Sequence, residues 1–327
     1  MLRFFAMVLL AAALWLAWAL ALPLAPPQTR DLLFPVGSSS RSIAAQLERE
    51  GVVRSRFAFE LLHYVLPKRR LKAGEYRFKD AASGVEVFER IARGDAVIRT
   101  VVIPEGYDIF EIAAAIEGAG LGKKEDFLAV ATQDTALVRP FDPQAPSLEG
   151  YLFPDTYQFS RIMSMHEMAA AMVRRFQKES QTLGLAPGEE THRIVILASI
   201  VEKETAAPEE RAEIASVYSN RLARKMVLAA DPTVVYAATL KGDYRGTIYQ
   251  SDLVSSSPYN TYKFTGLPPG AIANPGAASL RAALHPAQTD YLYFVAAGDG
   301  SGRHHFSTTF EQHERNVVAY RKAVRER

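Results

Sequence analysis

The feature that most constrains this chain is an uncharged, strongly apolar run near its beginning. The 21 residues from Phe4 to Leu24 contain no charged side chain. A helix of this length, rising about 1.5 Å per residue, crosses a hydrocarbon core of about 30 Å. The apolar region of a cleaved signal peptide is usually shorter, about 7–15 residues. The run therefore predicts an uncleaved single-pass anchor, with a signal peptide cleaved near Ala19–Ala21 as the alternative; in both cases the rest of the chain is exported.

Composition excludes several classes of site and of protein. The 327 residues include no cysteine, which removes disulfide scaffolds, Cys-ligated zinc, iron–sulfur clusters and thiol nucleophiles. The 38 Lys and Arg nearly balance 36 Asp and Glu, whereas proteins that neutralise nucleic-acid phosphates usually carry a clear positive excess. A hydrophobic content of 48% is typical of a folded chain, and the length predicts about two domains.

A strand–turn–helix pattern occurs twice, and each position in the second copy lies 69 residues after its equivalent in the first. The copies run over 34–52 and 103–121, and each joins a Pro-x-Gly turn to an amphipathic helix that ends at a glycine. Chance similarity of two such units is the alternative. A short strand within 71–78 and a helix over 85–93 separate the copies, so residues 31–100 are predicted to form a small α+β module.

Further along the chain, the patterns predict a helical region followed by a region of loops. Loops and short strands are expected to dominate after Asp231, where Asp231-Pro232 is interpreted as a turn or cap. Helices are predicted over 164–182, 191–204, 208–226 and 311–326, a loop over 141–146, a buried strand over 291–295 and a hairpin turn over 298–302.

The helix over 191–204 carries the first candidate for chemistry. It is apolar nearly all the way round and ends abruptly in Glu202-Lys203-Glu204. At about 100° per residue, Glu202 projects from the packed face, where lost solvation and the helix dipole would raise the pKa of its carboxyl. A carboxylic acid that stays protonated near neutral pH can act as a general acid. Helix geometry leaves open whether Glu202 and Glu204 are simply a solvated last turn, and it does not choose between them.

The second candidate is a set of loops rich in tyrosine, asparagine, proline and glycine over 259–276. Aromatic faces, amides and hydroxyls on stiff loops suit a sugar, which offers apolar ring faces and many hydroxyl groups. Ordinary turns with packed tyrosines are the alternative. The sequence shows no HExxH metal motif and no Gly-x-Ser-x-Gly nucleophile elbow.

Several motifs in order resemble one family, the MltG (YceG-like) endolytic murein transglycosylases. The resemblance covers the chain from the apolar run to near its end. The matching segments are Glu149–Tyr157 (EGYLFPDTY), Leu197–Thr205 (LASIVEKET), Asp231–Tyr236 (DPTVVY), Tyr259–Tyr262 (YNTY), Gly266–Gly270 (GLPPG), His285-Pro286 and Tyr291–Val295 (YLYFV).

The resemblance implies an α+β protein of the inner membrane with its body in the periplasm. Residues 1–30 would be the anchor and spacer, 31–100 a LysM-like module, and 101–327 a mixed α+β catalytic domain whose central buried helix carries the catalytic residue. The implied substrate is the peptidoglycan glycan strand, cut internally, and association with peptidoglycan synthases is expected. The implied reaction uses no metal or cofactor and no nucleic acid.

The resemblance also implies site residues. Glu202, in Ser-Ile-Val-Glu, matches the catalytic acid, and Tyr262 with Asn260 beside it is expected to shape the glycan cleft. The other expected substrate-binding residues are Tyr259, Thr205, Glu149, Tyr151 and Asp231. Two other functions remain open: a muramidase in which Glu149 or Asp155 activates water as a second carboxylate, and a glycan-binding scaffold without catalysis.

Overall fold

The computed structural model describes residues 1–66, 69–205 and 207–326. The helices are α1 Leu2–Leu20, α2 Ser40–Arg49, α3 Arg56–Val65, α4 Gly84–Arg93, α5 Ile109–Gly118, α6 Lys124–Gln133, α7 Met165–Leu183, α8 Glu189–Glu204, α9 Arg211–Ala223, α10 Asp231–Lys241, α11 Gln250–Leu253, α12 Ala277–Leu284 and α13 Phe310–Arg325. The strands are β1 Arg30–Phe34, β2 Gly74–Phe78, β3 Arg99–Ile103, β4 Asp155–Phe159, β5 Tyr293–Ala296 and β6 His304–Ser307, paired as β1–β2, β3–β4 and β5–β6. The fold is thus mixed α+β, as predicted.

Contacts divide the chain into two compact units. The first unit comprises Met1–Thr100 and Gln158–Ser164, and the second comprises Val101–Tyr157 and Met165–Arg327. The division falls within β3 and β4, so each of these strands contributes residues to both units.

The first unit begins with the apolar helix α1. Residues Arg3–Leu20 have a mean hydropathy of 2.0 and little of this segment is buried. By length and composition it is the one described helix that could cross a membrane. This observation is compatible with the predicted anchor.

The remainder of the first unit packs α2, α3 and α4 on the antiparallel pair β1–β2. Its core consists of large apolar side chains from all five elements, among them Phe34, Leu47, Phe59, Tyr76, Phe88 and Ile91. The boundaries of α4 follow from its sequence: Ser83 and Glu86 form a capping box at its start, and Gly94 ends it at a φ of +83°.

The predicted repeat is confirmed residue by residue. Strand β1 and helix α2 have the same bounds as β3 and α5 once 69 residues are added. Both turns use a glycine in the left-handed region, Gly37 at a φ of +86° and Gly106 at +78°. In each copy a second helix and then a partner strand follow: α3 and β2 in the first, α6 and later β4 in the second.

Helix α8 is the central helix of the second unit, as predicted. Eight of its sixteen residues are buried, and α9, α10 and α12 pack against it. Its all-round apolar surface therefore has a structural cause, since neighbours cover it on several sides.

The prediction that loops and short strands dominate after Asp231 is wrong for three segments. Asp231-Pro232 opens helix α10, and α11 and α12 follow within the same region. Proline fits the first turn of a helix because the N–H that it lacks has no partner there, and Gly242 ends α10 at a φ of +72°. These start and stop signals lie in the sequence, but Asp-Pro is equally compatible with a turn.

Two smaller predictions need correction. The strand predicted over 291–295 lies at Tyr293–Ala296 and is only half-buried, because a two-stranded sheet offers too few neighbours to cover both faces. The helix predicted over 208–226 is a 3-10 turn over Pro208–Glu210 followed by the shorter α9. The hairpin turn over 298–302 is confirmed between β5 and β6.

Candidate active site

Glu202 lies in the last turn of α8 with its side chain only 5% exposed. Its Oε1 accepts a hydrogen bond from Arg211 Nη2 at 3.3 Å, and its Oε2 accepts one from the backbone N–H of Gly276 at 2.9 Å. Both carboxyl oxygens are therefore held, and the side chain is fixed in one orientation.

Two helix starts supply these partners. Arg211 is the first residue of α9, directly after the Pro208–Glu210 turn. Gly276 is the N-cap of α12, where backbone N–H groups have no intrahelical partner and the helix dipole favours a negative charge. The contact of Glu202 with Gly276 thus satisfies one of the free N–H groups of α12.

A second carboxyl, that of Glu105, lies beside Glu202. Glu105 belongs to the Pro-Glu-Gly turn after β3, and its Oε2 is 3.9 Å from the same Arg211 Nη2 atom. A β-carbon placed on Gly276 would lie 1.9 Å from Glu105 Oε1, so this carboxyl fills the space that a side chain at 276 would need. Burial and the charge of Glu202 raise the pKa of Glu105, and Arg211 opposes them.

Glu204 has different surroundings from Glu202, although only one residue separates them. The Tyr218 hydroxyl donates to Glu204 Oε1 at 2.6 Å. Burial, assisted by the charge of Asp231, raises the pKa of Glu204 to about 7, against the hydrogen bond from Tyr218 and the charge of Arg221. The last turn of α8 therefore presents one glutamate to Arg211 and Glu105 and the other to Tyr218 and Asp231.

Glu149 is 2% exposed and is held by three donors. Its Oε2 accepts from the Ile109 N–H and the Tyr236 hydroxyl, each at 3.0 Å, and its Oε1 accepts from Asn274 Nδ2 at 2.7 Å. Burial raises the pKa of Glu149 to about 8, even though these hydrogen bonds favour the charged form. Asp155, the other candidate for a second carboxylate, is paired with Arg175 at 2.7 Å.

Tyr262 and Asp231 are exposed and contact each other. The Tyr262 hydroxyl donates to Asp231 Oδ1 at 2.5 Å, and Tyr262 is 39% exposed. Tyr259 is half-buried and lies against Tyr236, with ring centroids 5.1 Å apart. Burial raises the pKa of Tyr259 to about 12.

The remaining predicted binding residues are buried and already hydrogen-bonded. Asn260 Nδ2 donates to the carbonyl oxygens of Leu253 and Ser255 at 2.9 and 2.8 Å. Thr205 Oγ1 accepts from the Ala207 N–H at 2.9 Å.

Tyr151 donates to the buried carboxylate of Asp142, which also contacts His192 Nδ1. The Asp142 carboxylate thus links Tyr151 and the 141–146 loop to the first turn of α8.

The sequence reasoning did not identify four residues of this region: Glu105, Arg211, Asn274 and Gly276. In the sequence, Glu105 lies within the second copy of the repeat, and Asn274 and Gly276 lie within the loop-rich stretch over 259–276. They come from separate segments that α8 brings together, so no local spacing connects them with Glu202. The only signal was the occurrence of a glutamate in the second Pro-x-Gly turn, where the first copy has Val36.

Comparison with known proteins agrees with this fold. Residues 33–319 match the YceG-like family, and the chain belongs to that family. The chain is 34% identical over 312 residues to a Bacillus subtilis endolytic murein transglycosylase, covering 89% of this chain and 85% of the relative. It is 29% identical over 320 residues to a Streptococcus pneumoniae protein of the same name, covering 88% of this chain and 57% of that protein.

A solved structure gives the same assignment. A YceG-like protein from Listeria monocytogenes aligns with a TM-score of 0.57 at 33% identity, covering 88% of this chain and 99% of that one. The resemblance drawn from the sequence motifs is thus confirmed at the level of the family.

Proposed function

We propose that this chain is an endolytic murein transglycosylase that cuts MurNAc–GlcNAc bonds within peptidoglycan glycan strands, leaves anhydro-MurNAc ends and thereby terminates nascent strands. The observation that carries the proposal is the buried carboxyl of Glu202, held at the end of the central helix beside the half-exposed Glu105. The Bacillus subtilis relative, matched over most of both chains, supports the same activity.

In the proposed mechanism one carboxyl serves as acid and then as base. Protonated Glu202 donates to the glycosidic oxygen, the bond from that oxygen to the MurNAc anomeric carbon breaks, and an oxocarbenium-like state develops. The Glu202 carboxylate then removes the proton of the MurNAc C6 hydroxyl, whose oxygen bonds to the anomeric carbon. Because the attacking hydroxyl belongs to the same sugar, proximity replaces the second carboxylate of an ordinary glycosidase.

The proposed substrate contacts divide by exposure. Tyr262, Asp231 and Tyr259 have side chains that a sugar can reach. Asn260, Thr205, Glu149 and Tyr151 are buried, and we propose that they act by holding the loops and helices of the cleft. An aromatic face paired with a carboxylate, as in Tyr262 and Asp231, suits a ring that presents both C–H groups and hydroxyls.

The proposed organisation places the anchor at 1–30, a LysM-like module at 31–100 and the catalytic domain at 101–327. The order strand–helix–helix–strand of β1, α2, α3 and β2 supports a LysM-like module. The apolar helix α1 supports an inner-membrane anchor with the body in the periplasm. In that position the enzyme would meet nascent glycan strands and the synthases that make them.

The proposal is tested by comparing three full-length proteins in detergent: wild type, Glu202→Gln and Glu204→Gln. Each is incubated with purified glycan strands, and the products are weighed by mass spectrometry. Anhydro-muramyl ends are expected from wild type, and Glu202→Gln is expected to lose cleavage while keeping its fold, since glutamine is nearly isosteric. Glu204→Gln should keep measurable cleavage, because the Glu204 side chain contacts Tyr218 and not Arg211 or Glu105.

The other outcomes identify the alternatives. Reducing ends alone would show a muramidase, and binding without any cleavage by wild type would show a scaffold. Turnover retained by Glu202→Gln and lost in Glu204→Gln would move the acid to Glu204.

A further inference from the structure

Two carboxyls and one guanidinium form a compact charged group in the second unit, defined here as the Glu105–Glu202–Arg211 group. Arg211 Nη2 is 3.3 Å from Glu202 Oε1 and 3.9 Å from Glu105 Oε2. Arg211 and Glu202 are 10% and 5% exposed, whereas the Glu105 side chain is 50% exposed. One cation therefore lies between two acids of unequal exposure.

Among the described residues, Arg211 is the cation that forms an ion pair with these carboxyls, and the neighbouring groups contact other atoms. Lys203 of α8 donates its ammonium to the carbonyl oxygen of Gly106 at 3.1 Å. The loop before α12 contributes only the N–H of Gly276 to Glu202. On α10, Asp231 acts on Glu204 instead. With a single guanidinium between them, two ionised carboxyls would repel each other, so the group favours retention of one proton.

Resting on the proposed function, we propose that Glu105 is a positioning residue of the active site, which shares Arg211 with Glu202 and thereby keeps one proton within the Glu105–Glu202 pair. Its carboxyl competes with that of Glu202 for the single guanidinium of Arg211, so ionisation of both carboxyls at once is disfavoured. Its exposure allows it to exchange protons with solvent between turnovers, which the buried Glu202 does less readily.

Gly276 provides a way to move the Glu105 carboxyl without removing its charge. Its φ of −77° and ψ of 173° are accessible to alanine. The β-carbon of alanine would collide with the Glu105 carboxyl, which lies at the end of a flexible side chain and can rotate away. The N–H that donates to Glu202 is retained. Gly276→Ala should therefore separate the two carboxyls.

The test is the pH profile of kcat/KM for glycan cleavage by the full-length chain. Loss of the proton from the acid sets the alkaline limb of that profile. Glu105→Gln removes the repulsion and leaves Arg211 to Glu202 alone, so the limb should move to lower pH by about one unit. Gly276→Ala should shift it in the same direction, and adding Gly276→Ala to Glu105→Gln should cause little further shift. Glu105→Asp keeps the charge and should keep the limb nearer to that of wild type.

Glu125→Gln is the matched control, since Glu125 is exposed in the first turn of α6 and its removal also deletes one negative charge. The alkaline limb of the kcat/KM profile of Glu125→Gln should coincide with that of wild type. An unmoved limb in Glu105→Gln, with or without a lower kcat, overturns the role of Glu105. Anhydro products from wild type test the proposed function separately, because they are measured before any variant is compared.

Discussion

At the scale of single residues, the side chain of Asn274 makes four hydrogen bonds near the candidate site. Its Oδ1 accepts from the N–H groups of Gly150 and Leu152 at 2.9 and 2.8 Å. Its Nδ2 donates to the Tyr107 carbonyl at 2.9 Å and to Glu149 Oε1 at 2.7 Å. One buried amide thus joins three chain segments through all of its donor and acceptor positions.

We predict that Asn274→Ala lowers the free energy of unfolding by about 4 kcal/mol, because several buried polar groups lose their partner at once. Urea unfolding of the full-length chain in detergent measures this change in the free energy of unfolding. Asn316→Ala is the control, since Asn316 donates a single hydrogen bond, to Ser307 Oγ, and should cost about 1 kcal/mol. Equal losses in the two variants would show that the Asn274 contacts add little.

At the scale of elements, the two copies of the strand–turn–helix unit allow an internal comparison. A β-carbon at Gly37 would meet no atom within 4 Å, whereas one at Gly106 would lie 3.5 Å from Glu202 Cγ and 3.7 Å from Lys203 Cδ. The backbone strain of alanine in the left-handed region is the same in both turns, but only the second turn lies against the proposed acid.

We therefore predict that Gly37→Ala and Gly106→Ala each cost about 1 kcal/mol of unfolding free energy. Only Gly106→Ala should also lower kcat/KM for glycan cleavage, by about fivefold, because it disturbs the turn that carries Glu105. Urea unfolding and the cleavage assay on the same preparations check both parts. A similar fall in activity for Gly37→Ala would contradict the second.

Elements were predictable from the sequence wherever periodicity and end signals agreed. The bounds of α7 and α8 lie within two residues of their predictions, and the repeat was found from its turns and apolar positions. Helix α10 was missed because Asp-Pro is compatible with both a turn and a helix start, and its neighbours decide between them. The prediction that Glu202 lies on the packed face of α8 is confirmed by its burial. It could be made from the sequence because the direction of a side chain on a helix depends only on its position in that helix.

At the scale of the whole molecule, partners from distant segments were not predictable. Glu105, Arg211 and Gly276 come to Glu202 from the turn after β3, the start of α9 and the N-cap of α12, and only the packed fold brings them together. The two glutamates of α8 differ for the same reason: helix geometry gives a direction for each side chain but not the charges that it meets. The acid role of Glu202 and the substrate contacts stay predictions.

Buried carboxyls also make stability depend on pH. Burial raises the pKa of Glu204 to about 7 and that of Glu149 to about 8, from a usual value of 4.5. Because the folded chain holds these protons more tightly than the unfolded chain, their contribution is complete below pH 4.5. It is lost as the pH rises through 7 and 8.

We predict that the free energy of unfolding of the full-length chain falls by about 4 kcal/mol between pH 5 and pH 7, with about half of the fall from each carboxyl. Urea midpoints at intervals of one pH unit measure the fall. Glu204→Gln should remove about half of this dependence, because glutamine keeps an oxygen for the Tyr218 hydroxyl and does not titrate, while Glu149 still does. Glu125→Gln should retain the wild-type slope, and stability that increases over this interval would refute the prediction.

The 69-residue step between the two copies separates what the backbone determines from what a side chain determines. Strands and helices of equal bounds carry a neutral Val36 in one turn and an ionisable Glu105 in the other. The same scaffold thus accommodates either an inert corner or a charged one, because the middle position of the turn does not decide the path of the chain.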